Sequence, residues 1–442
     1  MKTNVKIVKL LLLLSACLMC LIGTPLFLSR LLHSPFSFFS GIPAVIIYAI
    51  AVLLLLREFN REGLKLSSLT FFFLLLLVGM TLFTRISLFP HVSGDFRMFL
   101  NDWILHIQNN PGWHVLGEEF ANYNMPYLYI LFGIGKIFPS SSFLYAVKYV
   151  SVLFDYILAY YVMKLVSIHY RKPFILIAAY FSVLMVPSVV LNSAMWAQCD
   201  SVFSALAVAG LYYGLIKKSK MCWTFFALAF SFKLQTVFIM PILLVLLFMK
   251  KIRLKDVWLF FMVFIAVLIP AVLAGRSPIS CLSIYWKQAG DRMELSLHAP
   301  NVFAWLPKGT INRNATAAGV MIAGTIVIAL LMYLYMRRLR IKQKQIIDAA
   351  FLFTVMIPFF LPSMHERYFY LADAVSMVYL YYHPRKWYLA VMVIIPSFLC
   401  HLIYLFDGTV IETSVLAFFV LAAVCLSLSD FVGRLESDVQ KN

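Results

Sequence analysis

Apolar runs long enough to cross a lipid bilayer recur along almost the whole chain, and this feature limits the possible folds most. A membrane-spanning helix uses roughly 20 predominantly apolar residues. Of the 442 residues, 63% are apolar and only 13% are charged, whereas ordinary soluble domains carry roughly a quarter charged residues. We therefore expect an all-α integral membrane protein, a polytopic bundle of about 12–14 transmembrane helices with two large extracytoplasmic loops.

Basic residues gather in short clusters between the apolar runs. The chain has 37 Lys and Arg against 19 Asp and Glu, a formal net charge of +18. Clusters at residues 57–65, 217–220, 250–255 and 337–344 are typical of cytoplasmic loops. Membrane orientation thus explains the charge, and nucleic acid is not expected as a partner. The seven cysteines are scattered through apolar segments, which argues against a zinc site or a disulfide framework.

The apolar runs and basic loops together define the predicted spans. Residues 7–29 are interpreted as an uncleaved first span with the N-terminus inside. Residues 125–138 are too short for a span and are interpreted as a re-entrant or interfacial helix. Residues 221–249, which Lys233 and Gln235 interrupt, are interpreted as two half helices. The other spans are predicted at residues 41–56, 67–89, 143–168, 173–194, 201–216, 256–274, 315–336, 346–362, 367–382, 387–406 and 410–428.

Two polar segments are predicted to face the extracytoplasmic side of a single membrane domain, residues 1–442. The first is the acidic segment 90–124, and the second is the segment 275–314, which contains His298 and Asn301. Charged groups that lie at the outer ends of distant spans suggest one shared site, because keeping them there is costly. The other candidate members are Asp95, Arg97, Asp102, Gln198, Asp200, Lys233, Gln235, His365, Glu366, Arg367 and Tyr368.

These residue types combine a base with anion-binding groups. A carboxylate beside a hydroxyl can remove its proton, and Lys and Arg can stabilise the charge of a leaving phosphate. Sugar transfer from a lipid phosphate requires both functions. Structural alternatives exist: Asp95 and Asp200 could cap helices, and the charges at residues 365–368 could extend to the membrane interface.

Six short motifs occur in order on this predicted face, and together they resemble the GT-C superfamily of glycosyltransferases. The closest likeness is to the mannosyltransferases of glycosylphosphatidylinositol assembly, and a more distant one is to the glucosyltransferases of lipid-linked oligosaccharide assembly. The resemblance covers residues 67–382. The motifs are SGDFR at residues 93–97, NYNMPYLY at 122–129, MWAQCD at 195–200, FKLQ at 232–235, HAPN at 298–301 and MHERY at 364–368.

The resemblance implies an inverting transferase that moves one hexose, with mannose as the family-based choice, from a polyprenyl-phosphate donor. The acceptor would be a hydroxyl of a cell-envelope glycan, a glycolipid or a protein. Asp95 matches the catalytic base of the first outer loop, and Lys233 and Arg367 match positions near the donor phosphate. Asp200 would shape the sugar or acceptor pocket. Ala197 stands where relatives often carry glycine.

Asp155 and Asp373 favour a different class of protein, because acids inside membrane spans often mark ion or proton pathways. A secondary transporter or a flippase of lipid-linked sugars is therefore the alternative, and a membrane glycan ligase or polymerase would use similar donors. The outer acids leave room for a divalent metal, although no spacing requires one. The short basic inner loops favour a bacterial plasma membrane, with the active site facing outside.

Overall fold

The computed structural model describes residues 38–290, 294–339 and 341–437, and these residues are almost entirely helical. The predicted first span at residues 7–29 lies outside them. The chain divides into two compact units, and the boundary between them in the sequence falls after Ala205. Each unit is described by itself.

The first unit comprises Tyr127–Ala205 and the described residues up to Ala121. Two short π-helical segments, Phe96–Leu100 and Leu191–Met195, interrupt its α-helical structure. The helices that lie wholly or partly in this unit are α1 (Phe38–Arg61), α2 (Ser68–Leu88), α3 (Asn101–Asn109), α4 (Met125–Ile137), α5 (Phe143–Ser167), α6 (Pro173–Leu184), α7 (Pro187–Val190) and α8 (Asp200–Leu215).

The second unit comprises Asn122–Pro126 and the described residues from Leu206 onward. Two short strands, β1 (Ser296–Leu297) and β2 (Met364–His365), pair in parallel within it. Its further helices are α9 (Ser219–Phe232), α10 (Pro241–Phe248), α11 (Trp258–Leu273), α12 (Pro278–Gly290), α13 (Arg313–Met336), α14 (Gln343–Phe360), α15 (Tyr370–Tyr382), α16 (Trp387–Phe406) and α17 (Thr413–Ser437).

Seven helices in the described part of the chain are long and apolar enough to cross a membrane. An eighth crossing would be α6 together with residues 187–195, two pieces that meet at a bend of 57°. On α11, large apolar side chains lie exposed, including Phe261 at 58% and Ile265 at 59%. Water would not accommodate such a continuous apolar surface, and the chain is therefore a multi-pass membrane protein. The seven helices lie at Ile42–Arg61, Ser68–Leu88, Ser140–Ser167, Leu254–Leu273, Arg313–Met336, Pro384–Phe406 and Thr413–Glu436.

Breaks in the backbone explain why fewer spans are found among the described residues than hydropathy suggests. The predicted interruption of residues 221–249 is confirmed, because Lys233 has an extended backbone (φ −155°, ψ 133°) between α9 and α10. These two helices have only 14 and 8 residues. The predicted span 367–382 is shortened in the same way, because a 3-10 turn precedes α15 and leaves this helix 13 residues.

Asp155 lies deep within α5 and has a cationic partner. Arg85 Nε of α2 lies 2.8 Å from Asp155 Oδ2, and both side chains are completely buried. Ser193 Oγ donates a second hydrogen bond to the same oxygen at 2.6 Å. Because burying an unpaired charge in hydrocarbon is expensive, this ion pair joins α2 and α5 and gives the intramembrane acid a structural role.

Candidate functional site

Asp95 lies just after α2, and its side chain does not cap a helix. The residue has helical backbone angles and makes no side-chain cap hydrogen bond, so the cap interpretation is wrong. Asp95 Oδ2 instead accepts hydrogen bonds from Trp196 Nε1 at 3.0 Å and from Gln198 Nε2 at 2.5 Å. The first and third motifs of the sequence thus meet within the first unit.

The backbone of both motifs is arranged to make this contact. Ser93 Oγ donates to the Trp196 carbonyl at 2.7 Å and accepts from the Phe96 amide at 3.3 Å. Between the two donors to Asp95, Ala197 adopts a left-handed conformation with φ at 67°. This sharp turn lets the side chains on both sides of Ala197 reach one carboxylate oxygen. Left-handed backbone is unfavourable for residues with a Cβ atom, which explains why glycine suits this position.

The hydrogen bonds from Trp196 and Gln198 orient the carboxylate of Asp95, and the Asp95 side chain remains partly accessible. Trp196 is fully buried and Gln198 is 3% exposed, whereas Asp95 is only partly buried. Both donors are uncharged, so they fix the direction of the carboxylate without forming an ion pair with it. A carboxylate held in this way can accept a proton from a hydroxyl that comes within hydrogen-bond distance.

A buried lysine supports the segment that leads to Asp95. Lys148 Nζ, from α5, donates to the carbonyls of Phe89 at 2.8 Å and His91 at 2.6 Å. Burial, together with the positive charges of Lys148 and Arg97, lowers the pKa of His91. The sequence prediction missed Lys148, although a lysine inside an apolar span is itself an indication of a specific partner.

Arg97 and Asp102 are exposed to the surroundings. Seven residues make about two α-helical turns, so a continuous α-helix would place Asp102 on the same face as Asp95. The π-helical segment Phe96–Leu100 lies between them, and its wider turn shifts the face on which Asp102 projects. Asp102 therefore projects from a different face than a continuous α-helix would give it, and its role in substrate binding stays a prediction.

Asp200 is the first residue of α8, in the first unit. It is 1% exposed, and its Oδ2 accepts a hydrogen bond from Asn192 Nδ2 at 2.9 Å. Asn192 belongs to the second π-helical segment, Leu191–Met195. Asp200 and Asn192 thus form a buried polar pair next to the turn that carries Gln198.

In the second unit, the cations expected near a phosphate lie on the turns that precede helices. Lys233 is 6% exposed and occupies the break between α9 and the 3-10 segment Leu234–Phe238. Arg367 lies in the 3-10 segment Glu366–Phe369, with its side chain 14% exposed. Lys233 is a buried cation and Arg367 a partly buried one, and both lie at irregular backbone, the setting in which membrane proteins bind anions.

Glu366, which precedes Arg367 in the chain, is ionised because of its neighbours. Arg367 Nη1 lies 3.9 Å from Glu366 Oε1, and His365 Nδ1 lies 3.8 Å from Glu366 Oε2. Burial raises the pKa of Glu366, but the nearby side chains of His365 and Arg367 outweigh burial and bring the pKa below its usual value. The carboxylate of Glu366 therefore lies close to the side chains of both His365 and Arg367 and helps to position them.

The segment 275–314 packs its strand β1 against β2. Leu297 pairs with His365, and His298, which is exposed, forms an isolated bridge with His365. Asn301 is fully buried, and its amide is bonded to backbone: Nδ2 donates to Leu361 O at 3.1 Å, and Oδ1 accepts from Phe303 N at 3.2 Å. Asn301 therefore fixes the loop against the segment that precedes β2.

Asp373 is a second buried intramembrane acid, on α15. It accepts a hydrogen bond from Ser397 Oγ of α16 at 2.7 Å, and it is completely buried. Within the described ranges, no group of three or more His, Cys, Asp or Glu side chains is placed to hold a metal ion.

No protein-family model matches the chain, and no curated protein matches it either. What the chain does is therefore inferred from the chemistry of its own residues.

Proposed function

We propose that this membrane protein is an inverting glycosyltransferase of the GT-C type. It would move a single hexose, for which mannose is the first choice, from a polyprenyl-phosphate donor to a hydroxyl of a cell-envelope glycan, glycolipid or protein. The observation that carries the proposal is the partly accessible carboxylate of Asp95, which Trp196 and Gln198 orient through hydrogen bonds of 3.0 and 2.5 Å.

In the proposed reaction, Asp95 takes the proton of the acceptor hydroxyl as its oxygen attacks the anomeric carbon of the donor sugar. The bond between that carbon and the phosphate oxygen breaks, and polyprenyl phosphate leaves with the bonding electrons. Attack from the face opposite the leaving group inverts the anomeric configuration. A positioned general base contributes about 10²–10⁴-fold to such a rate.

Lys233 and Arg367 are proposed to stabilise the charge of the leaving phosphate, and this role is tested separately. A guanidinium group presents a planar fork of donors that matches phosphate oxygens. The low exposure of both cations, 6% for Lys233 and 14% for the Arg367 side chain, supports the assignment, because a membrane protein seldom keeps a cation away from water without a function.

The proposal includes a topology of about 12–14 crossings, in which the outer segments 90–124 and 275–314 face the extracytoplasmic side. The bacterial plasma membrane is the proposed location. The basic clusters at residues 57–65, 217–220 and 250–255 support this orientation, since such clusters favour the cytoplasm.

The decisive experiment measures transfer of labelled hexose from synthetic polyprenyl-phosphate donors to endogenous membrane acceptors. Asp95→Asn should reduce the rate about 10²–10⁴-fold in equal amounts of folded protein. The matched control is Asp407→Asn, which changes an exposed acid outside the candidate site and should leave the rate unchanged. Undiminished transfer by Asp95→Asn would exclude Asp95 as the base.

A transporter or flippase of lipid-linked sugars predicts a different result. Wild-type protein would then move the labelled donor across vesicle membranes without transferring its sugar, and Asp155→Asn would stop this movement. The pairing of Asp155 with Arg85 and Ser193 favours the transferase, because an acid with an ion-pair partner and a hydroxyl donor is already accounted for structurally.

A further inference from the structure

The second unit contains a cavity of about 190 Å³. Its wall includes the 3-10 segment Leu234–Phe238, the first turns of α13 and residues 361–364 with Tyr368. Pockets for drug-sized ligands usually measure about 300–1,000 Å³. The cavity is therefore large enough for one small ring and too small for an extended glycan.

The polar groups in the wall are amides and hydroxyls. Gln235, Gln288, Thr316 and Ser363 contribute them, and none of the described lining residues is Asp, Glu, Lys, Arg or His. Oε1 of Gln235 is buried and has no hydrogen-bond partner among the described residues. A buried acceptor without a partner is unfavourable, and rotation of the Gln235 amide toward the cavity would let a ligand donate the missing hydrogen bond.

An aromatic pair forms another part of the wall. The rings of Phe238 and Tyr368 have their centroids 6.3 Å apart. The centroid of the Tyr368 ring also lies 5.1 Å from the centroid of the His365 ring and 6.0 Å from Arg367 Cζ. These neighbours restrict the ring of Tyr368, so the cavity has a preformed apolar surface facing its amides and hydroxyls.

The backbone around the cavity is also held in place. Ser363 adopts a left-handed conformation with φ at 59°, and its amide donates to Leu295 O at 2.9 Å. The pairing of β1 with β2 follows directly after this residue. Left-handed backbone at a residue other than glycine persists only where the surroundings enforce it, so this part of the wall has a defined conformation.

We infer that this cavity binds one uncharged sugar ring. Sugar hydroxyls both donate and accept hydrogen bonds, which suits amide and hydroxyl walls, and the C–H faces of a sugar suit the aromatic pair. A phosphate would find no cation in the wall, and a lipid chain would form no hydrogen bonds with its amides and hydroxyls. The inference goes beyond the proposed transfer, because a transporter or ligase could use the same site, and its test does not measure transfer.

The test uses the purified full-length chain in lipid nanodiscs. Thr316→Cys places a thiol in the cavity wall, and its modification by a small polar thiol reagent is followed by mass spectrometry of that peptide. Methyl mannoside, methyl glucoside, inorganic phosphate and decanol serve as separate probes. At about ten times its Kd, a neutral sugar should slow modification about tenfold. The control Lys308→Cys lies on an exposed loop and should react at the same rate with and without sugar.

Two further measurements keep the test independent of any one variant. Adding Gln235→Leu to the Thr316→Cys protein should raise the sugar concentration for half-protection about tenfold, the change expected for one lost ligand hydrogen bond. In the unmodified chain, the same sugar should slow hydrogen exchange of residues 361–368.

Three outcomes would overturn the inference. Protection by phosphate and by neither sugar would indicate an anion site. Protection by decanol alone would indicate a lipid-chain site. No protection and unchanged hydrogen exchange with every probe would exclude a small-ligand site. Loss of transfer in Asp95→Asn would leave each of these outcomes unchanged, so the two proposals fail separately.

Discussion

Gln198 Nε2 lies 2.5 Å from Asp95 Oδ2, although 103 residues separate the two in the sequence. Trp196 Nε1 donates to the same oxygen at 3.0 Å. Two donors on one oxygen fix the rotation of the carboxylate, so the direction in which Asp95 can accept a proton is set by the turn at residues 196–198. Trp196 and Gln198 therefore determine how the Asp95 carboxylate can act as a base.

Replacing Gln198 with Leu should lower the rate of the proposed sugar transfer by about 10- to 100-fold. A hydrogen bond to a charged group is worth about 1.5–3 kcal/mol, and each 1.36 kcal/mol of barrier changes a rate about tenfold. The measurement is kcat with saturating donor, alongside the thermal unfolding midpoint. A folded Gln198→Leu protein with the wild-type kcat would show that the contact with Asp95 has no part in the reaction.

Ala197 should tolerate glycine and reject valine. Glycine adopts a φ of 67° without a steric cost, so Ala197→Gly should raise the free energy of unfolding slightly, by up to about 1 kcal/mol. A β-branched side chain is much less compatible with this backbone, so Ala197→Val should lower both the unfolding midpoint and the transfer rate. Equal stability of the glycine and valine variants would contradict the left-handed turn.

The ion pair of Arg85 and Asp155 should prove structural. Arg85→Met leaves a buried acid without its cation and should cost about 3–5 kcal/mol of stability. The double variant Arg85→Met with Asp155→Leu removes both charges and should recover most of that loss, with transfer activity retained. Unfolding midpoints and transfer rates of both variants test this. A stable double variant that has lost all activity would instead assign the pair to the function.

The sequence predicts the positions of the long helices well, because a chain in lipid must satisfy its backbone hydrogen bonds within each helix, and apolar length reveals this. It predicts the short ones less well. The break at Lys233 was predicted, but the 3-10 turn Glu366–Phe369 that shortens α15 was not, although the charges of Glu366 and Arg367 mark it in the sequence.

The side chains that contact a candidate residue are harder to predict from the sequence than the candidate residue itself. Asp95 and Gln198 were both candidates, but a pattern along one chain does not specify which distant side chains share an oxygen. Lys148 and Arg85 stand inside apolar runs, which is a visible anomaly, yet their partners lie 59 and 70 residues away. Charge inside a span predicts that a partner exists, and only the packing of helices identifies it.

His383 should make the second unit less stable as the pH falls below about 6.5. Arg434 Nη1 donates to its Nδ1 at 2.7 Å, and its Nε2 lies 2.5 Å from Asp348 Oδ1, an arrangement that fits the neutral ring protonated on Nε2. Burial lowers the pKa of His383, Asp348 opposes this, and the positive charges of Arg434 and Lys344 add to the lowering.

Because the folded pKa of His383 lies below the unfolded one, the unfolded chain takes up the proton first as the pH falls. Stability is then unaffected by this group above about pH 6.5 and decreases between that pH and the folded pKa. Unfolding midpoints measured across this range should fall, and His383→Gln should flatten the slope even though it lowers the midpoint overall. His169→Gln, a change at an exposed histidine, should keep the wild-type slope. A wild-type slope in His383→Gln would exclude this residue as its origin.

Arg367→Gln should raise the KM for the polyprenyl-phosphate donor by about 10- to 100-fold, the loss expected for a hydrogen bond between charged groups. Arg367→Lys should recover only part of this affinity, because an ammonium group keeps the charge and loses the planar fork. The exposed Arg171 provides the control Arg171→Gln, with an unchanged KM.

Since Glu366 Oε1 lies 3.9 Å from Arg367 Nη1, Glu366→Gln should also weaken donor binding, by a smaller factor than Arg367→Gln. Donor titrations at fixed acceptor measure all four variants. If Arg367→Gln lowered only the unfolding midpoint and left KM unchanged, Arg367 would serve the fold rather than the phosphate, and Lys233→Gln would become the remaining test of phosphate binding.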